Sequence, residues 1–275
     1  MVIKTLLQLP VIEERRSITK IKNAFANGKA FIPFITCGDP SLAISEQLVY
    51  AMEAAGADLI ELGIPFSDPT AEGPVIQAAN LRALHAGALT DAIFEMVARI
   101  RQKTQIPLVF MTYANVVYHY GTRRFLQKAA DLGIDGLILA DVPYEEKAEF
   151  AKVGQELGVE LISMIAPASH DRIKIIAQDA AGFVYCVSSL GVTGVRNTIT
   201  TDISAMVQLV KHEQDIPCAV GFGISTPAQA REMAQQADGV IVGSAIVRLC
   251  EKYGQDCVQP VADYVRSMKD AIRDL

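Results

Sequence analysis

The 275-residue sequence has little of what marks several broad protein classes. Its four histidines, His85, His119, His170 and His212, are scattered without the spacing of a metal site and read as surface or helix residues. Its five cysteines, Cys37, Cys186, Cys218, Cys250 and Cys257, are odd in number and three fall in apolar strand-like runs. They read as reduced, buried thiols in a reducing compartment, not as a disulfide framework. No apolar run approaches the roughly 20 residues that a membrane-spanning helix needs. The N-terminal stretch is mildly apolar but runs into Glu13 and Glu14 without a small-residue cleavage site, which does not fit a signal peptide. A cytoplasmic location is expected. There is no cluster of Lys or Arg and the formal net charge is -6, so neither nucleic acid nor an anionic membrane is expected as a partner.

What is present is apolar and regular. With 51% hydrophobic and 20% charged residues and no low-complexity segment, the chain can build a sizeable core, and its length fits one large domain over 1–275. Eight short, β-branched runs begin near Phe31, Asp58, Pro107, Gly136, Glu160, Gly182, Pro217 and Gly239, with amphipathic segments such as 42–55 and 91–103 between them. Strand-helix alternation implies parallel strands with crossover helices, and eight such units close a (β/α)8 barrel, a TIM barrel of the α/β class. Residues 17–27, ahead of the first run, read as an extra helix on the barrel floor.

The spacing of the runs is uneven. Most start 22 to 29 residues apart, but the second unit takes 49 and the sixth 35. The surplus falls just after the strands, at 64–77 and 188–201, on the face where such barrels do their chemistry. Enlarged loops there read as lids.

The stretch 59–77, LIELGIPFSDPTAEGPVIQ, is the candidate centre. Residues 58–62 read as a buried strand that ends at Glu61, and Gly63, Pro65, Pro69, Gly73 and Pro74 read as excluding regular structure after it. A carboxylate held among Ile60, Leu62, Ile64 and Phe66 loses hydration, and its pKa rises toward the range useful for proton transfer. The loop adds Asp68 and Glu72. Tyr185, in the sixth run, can bring a hydroxyl to the same pocket, and Phe34, Met111, Tyr113 and Phe222 together make an aromatic-sized apolar slot. In the sixth loop, Gly191 and Gly194 give hinge freedom, and Thr193 and Arg196 can reach a substrate. The last two strands exit in GFGIST and GSAIV, where glycines let backbone N–H groups approach an anion and a following helix adds its positive end. Phosphate sites in such barrels sit at these two exits.

The motifs FIPFITCGDP, ELGIPFSDP, ADVPYEE, SSLGVTGVR, GFGIS and GSAIV, in that order, make the chain from Phe31 to its end resemble the tryptophan synthase α chain family. The resemblance implies a lyase that cleaves indole-3-glycerol phosphate to indole and glyceraldehyde 3-phosphate by a retro-aldol step, with no cofactor of its own. It implies a pyridoxal-phosphate (PLP) β chain as partner, receiving indole in an αββα assembly and activated allosterically. By position, Glu61 matches the family's general acid/base and Tyr185 the tyrosine beside it. Gly194, Gly223, Gly243 and Ser244 match the phosphate-binding backbone, Phe34, Met111 and Phe222 the walls of the indole slot, and Thr193 the lid threonine. Asp68, Asp141 and Pro143 match the partner-facing region. The loop reads SDPTAEGP where the family has SDPLADGP, so Thr70 replaces Leu and Glu72 stands where an Asp accepts the indole N–H. That change raises an alternative: a weakly active or non-catalytic α-type subunit that switches on its β chain. Another phosphate-binding barrel, such as indole-glycerol phosphate synthase, would need a strand-borne lysine, which none of the eight runs has.

Overall fold

The apolar runs become parallel strands: β1 (Ala30–Thr36), β2 (Ile60–Gly63), β3 (Leu108–Thr112), β4 (Gly136–Leu139), β5 (Glu160–Leu161), β6 (Ser163–Ile165), β7 (Val184–Val187), β8 (Cys218–Gly221) and β9 (Gly239–Val242). This computed structural model describes residues 20–188 and 202–275. Neighbours pair in the order β5-β4-β3-β2-β1-β9-β8-β7-β6. The two ends of that order are consecutive in the chain, and this closes the barrel. β5 pairs with β4 and β6 with β7, so the fifth run changes partner at Ile162, whose N–H still donates to Leu137 O at 2.9 Å. The eight expected strands are therefore present, with the fifth divided in two.

Period-two alternation sorts side chains to the two faces of the ring. Phe31, Ile35, Leu62, Phe110 and Val220 pack outward against the helices. Ile32, Phe34, Leu59, Val109, Met111, Ile138, Phe183, Tyr185 and Ile241 fill the interior. Glu61 lies between Ile60 and Leu62, both outward, so it occupies an inward position where neighbouring strands place apolar residues. Ile21 and Ala24, in the short helix Ile21–Ala24, join this inner cluster and close the floor, as expected of the segment before the first strand.

Two expectations need correction. β2 does not stop at Glu61: it is the second residue of Ile60–Gly63, and the ladder to β1 continues through Thr36 and Gly63. Nor do Gly73 and Pro74 exclude regular structure. Gly73 is the N-cap and Pro74 opens a helix, Pro74–His85, because the first turn has no use for the N–H that proline lacks. The long second unit thus holds an irregular segment, 64–73, and two helices, Pro74–His85 and Thr90–Ile100.

Candidate active site

Glu61 is 1% exposed and neither carboxyl oxygen has a hydrogen-bond partner, although the residue is deep in the protein. Water has been removed and nothing polar replaces it, so burial raises its pKa to about 8. An unpaired buried carboxyl in a native structure costs stability and is a common mark of a chemical role. Register places Phe34 opposite Glu61 on β1 and Val109 opposite it on β3.

The cavity above this acid encloses about 510 Å³, counting space open to solvent. Its lining combines three groups of residues from the strands and the segments that follow them. Glu61 and Glu72 supply carboxylates, and Phe34, Met111, Tyr185 and Phe222 supply an apolar wall. Gly223, Gly243 and Ser244 supply backbone at the exits of β8 and β9. Among the described residues no Lys or Arg lines it, so among them an anion there meets backbone N–H groups and the Ser244 hydroxyl.

Two of the wall residues, Tyr185 and Phe34, are set by a neighbouring glycine. A Cβ on Gly221 would stand 2.2 Å from the Tyr185 hydroxyl, and one on Gly63 would stand 2.5 Å from Phe34 Cζ. Both aromatic rings lean over the next strand toward the mouth because that strand has no side chain there. Tyr185 meets Phe222 edge to face, with centroids 6.1 Å apart and planes at 79°. Burial and, second, the nearby Glu61 push the Tyr185 phenol well above its ordinary value, so it stays a neutral donor. Phe222 has φ +76°, the one non-glycine left-handed residue among the described residues. Ser188, itself buried, donates from its hydroxyl to Phe222 O at 2.6 Å and fixes that turn.

At the β9 exit, Gly243 is the N-cap of the helix Ser244–Tyr253. The first bonds of that helix run from Ile246 and Val247 N–H to Gly243 O, which leaves the Ser244 and Ala245 amides ahead of any helical acceptor. Amides and helix dipole together form an anion cradle. The β8 exit differs from expectation: its helix, Pro227–Ala234, begins only after a Thr226 capping box, so Gly223 contributes as a left-handed turn at φ +79°, not as a helix start.

Glu72 reaches the same cavity from the segment 64–73. It is mostly buried, and burial raises its pKa to about 7, against a lowering hydrogen bond from Asn80. Tyr113 takes a different place from the one its sequence suggests. It is not on the cavity lining; its hydroxyl accepts the Ala71 N–H at 3.1 Å, and its ring packs on Phe66. It braces the segment that carries Glu72. Asp68 and Thr70 are exposed on that segment, and Asp141 Oδ1 accepts the Ala114 N–H at 2.9 Å, tying the β3 and β4 exits together. Thr193, Gly194, Gly191 and Arg196 lie outside the described residues. Sequence reasoning misses Ile76, Ile224 and Ile241 in the lining. Ile241 is within reach of it, since this residue lies two before Gly243 on an alternating strand.

A family model described as tryptophan synthase alpha chain matches residues 21–273. The chain belongs to the tryptophan synthase alpha chain family. The tryptophan synthase alpha chain of Lactiplantibacillus plantarum is 49% identical over 256 residues, covering 93% of this chain and 97% of that protein. That of Alkaliphilus metalliredigens is 48% identical over 242 residues, 87% of this chain and 91% of its own. Among solved structures, tryptophan synthase subunit alpha from Legionella pneumophila aligns with TM-score 0.84 at 34% identity, over 94% of this chain and 100% of that one. A chain of the tryptophan synthase a2b2 complex of Pyrococcus furiosus aligns with TM-score 0.79 at 32% identity, over 89% of this chain and 99% of that one. For a tryptophan synthase alpha chain, the two carboxylates, the aromatic slot and the anion cradle all fall in one cavity at the strand exits of the barrel. Among the described residues no group of His, Cys, Asp or Glu is arranged to hold a metal ion, and no helix is long and apolar enough to cross a membrane.

Proposed function

We propose that this cavity cleaves indole-3-glycerol phosphate to indole and glyceraldehyde 3-phosphate, with Glu61 as the general acid/base and Glu72 as the acceptor of the indole N–H. The observation that carries the reading is Glu61, an unpartnered buried acid in the same cavity as the backbone of Gly223, Gly243 and Ser244, which can cradle an anion. With its pKa near 8, Glu61 is protonated at neutral pH and delivers that proton to indole C3. The ring becomes cationic at nitrogen, and the Glu72 carboxylate stabilises a charge that exists only from that step onward. The Glu61 carboxylate then takes the proton of the hydroxyl on the adjacent carbon. The C–C bond breaks, its electron pair neutralises the ring, and the aldehyde leaves. Glu61 ends protonated, as it began.

The cradle of Gly223, Gly243 and Ser244 holds the ester phosphate, and Phe34, Met111 and Phe222 hold the indole. Tyr185 lies near Glu61 as a neutral hydroxyl. None of these steps needs a cofactor from this chain. The partner is a tryptophan synthase β chain in an αββα tetramer, with PLP on the β chain and indole passing to it. Asp68, Asp141 and Pro143 lie on the strand-exit face and are assigned to that contact. A cytoplasmic location, with the buried thiols reduced, belongs to the same proposal.

The test is indole release from indole-3-glycerol phosphate by the purified chain, with and without a cognate β chain. Slow release alone and faster release in the complex are expected. No indole in the complex refutes the reading. Restoring the shorter acid, Glu72→Asp, is expected to bring no gain in kcat and a loss of up to about a hundredfold, and a large gain would show that glutamate is a poor substitute here. The loop end that bears it is fixed by side-chain bonds, and a shift of about 1 Å would cost on the order of a hundredfold.

A further inference from the structure

We infer that Asn80 is a positioning residue for the reaction, the group that fixes Glu72 so that a glutamate serves as the indole N–H acceptor. The inference rests on the reading of Glu72 given above. Asn80 is 3% exposed, and its Nδ2 donates to Glu72 Oε2 at 2.7 Å. Among the described residues this is the one side-chain hydrogen bond to that carboxylate.

The placement follows from helix geometry. Helix Pro74–His85 buries Ile76, Ala79, Asn80 and Ala83, a stripe at helical spacing that faces the barrel. Ile76 lines the cavity, and Asn80 lies one turn further along the same stripe. An amide in an apolar stripe needs a partner, and a carboxylate that turns back along the helix supplies one. The backbone is held separately: Gln77 Nε2 donates to Glu72 O at 2.7 Å, and Ala71 N–H donates to the Tyr113 hydroxyl. Loop position is therefore set by Gln77 and Tyr113, and carboxylate orientation by Asn80.

The extra methylene of glutamate adds a torsion that would let the carboxylate swing away from the indole nitrogen. Binding Oε2 to Asn80 removes that freedom and leaves Oε1 for the indole N–H. The same bond favours the ionised form, which is the form able to accept. Among the described residues, the titratable groups facing Glu72 are Glu61 across the cavity and the neutral phenols Tyr185 and Tyr113, with no Lys or Arg in the lining. Nothing else in that lining offsets the desolvation of Glu72.

The test uses the full chain in complex with its β chain, assayed for indole release across pH. Asn80→Ala is expected to lower kcat by about ten- to a hundredfold, as a misplaced group of this kind does, with KM within about twofold. The acid limb of the kcat profile should move to higher pH. Asn80→Asp is close to isosteric and keeps the shape of the fold. It replaces the donor by a second carboxylate, so the pair shares a proton and the acid limb rises by roughly one pH unit or more. In a Glu72→Ala background, Asn80→Ala should have no further effect. A wild-type kcat and pH profile in both Asn80 variants overturns the inference, as does an equal loss in the Glu72→Ala background. Inactive Glu72→Ala beside fully active Asn80→Ala sinks the inference alone, and normal turnover by Glu72→Ala sinks the assignment of Glu72 and the inference together.

Discussion

Glu61→Gln separates the catalytic cost of this acid from its structural cost. The carboxyl is fully buried and unpartnered, and its pKa rises from 4.5 to about 8 on folding. A raised pKa means that the folded state holds the proton more tightly than the unfolded chain does. The favourable contribution is complete below 4.5 and is lost as pH rises through 8. Each tenfold difference in acidity between the two states is worth about 1.4 kcal/mol, so the full penalty for keeping the ionised form buried is about 5 kcal/mol. Integrating over pH, the loss is about 1 kcal/mol at pH 5, about 3 at pH 7 and close to 5 above pH 9. Glutamine has nearly the same shape and no proton to lose. Its stability advantage over the wild type should therefore grow with pH by these amounts, on top of a constant offset for exchanging carboxyl for amide.

The assay is urea unfolding of both proteins at pH 5, 7 and 9 with the slope compared at each, so that a change in midpoint reports stability and not compactness. Indole release by Glu61→Gln should be abolished at every pH, because the proton transfer is gone while slot and cradle remain. A difference in unfolding free energy that stays flat from pH 5 to pH 9 would falsify the assignment of a desolvated, titrating carboxyl. Retained turnover would refute its role as acid/base.

Two further substitutions test the walls and the cradle. Gly221→Ala places a methyl 2.2 Å from the Tyr185 hydroxyl, a distance no real contact tolerates, so the ring must move. A destabilisation of about 1–3 kcal/mol is expected, as for overpacking elsewhere, read as a lowered thermal midpoint together with a fall in kcat. Gly243→Val sets a branched side chain against Phe34, whose Cδ1 is 3.3 Å from the first added carbon, and narrows the approach to the Ser244 amide. KM should rise by roughly tenfold or more while kcat falls less; steady-state kinetics on the complex would show the reverse split if the phosphate binds elsewhere.

Much of the architecture is legible in the sequence because it depends on one-dimensional patterns. β-branched runs at near-regular spacing mark the strands, and alternation marks which residues face inward, so Phe34, Met111, Tyr185 and Gly243 can be placed from the sequence alone. What stays hidden depends on partners. Nothing in ELISMI tells that its first half pairs with β4 and its second with β7, since the change at Ile162 is a property of closing the ring. Pro74 reads as a breaker because proline excludes helix interiors, yet at the first turn it favours a start. Tyr113 reads as part of the slot because aromatic residues near a cavity commonly line it, but the direction of its hydroxyl is fixed by the Ala71 amide, which sequence does not reveal. Asn80 gives no signal at all: a lone polar residue in a helical stripe matters only through the carboxylate that turns back to it.

The two acids of the cavity are raised to neighbouring values, about 8 for Glu61 and about 7 for Glu72, by the same cause, loss of water. They differ in that Glu72 has a donor and Glu61 has none. That single difference orders their roles. Of two like carboxyls in one low-dielectric space, the one with an N–H donor ionises first, and the other keeps its proton longer. While Glu72 is ionised and Glu61 keeps its proton, the site holds one acid and one base, the combination that a proton transfer to carbon coupled to a cationic ring requires. The division of labour therefore lies less in which residue is aspartate or glutamate than in where the helix Pro74–His85 places its one buried amide. A longer acid at position 72 is compatible with the chemistry as long as that amide stays within reach.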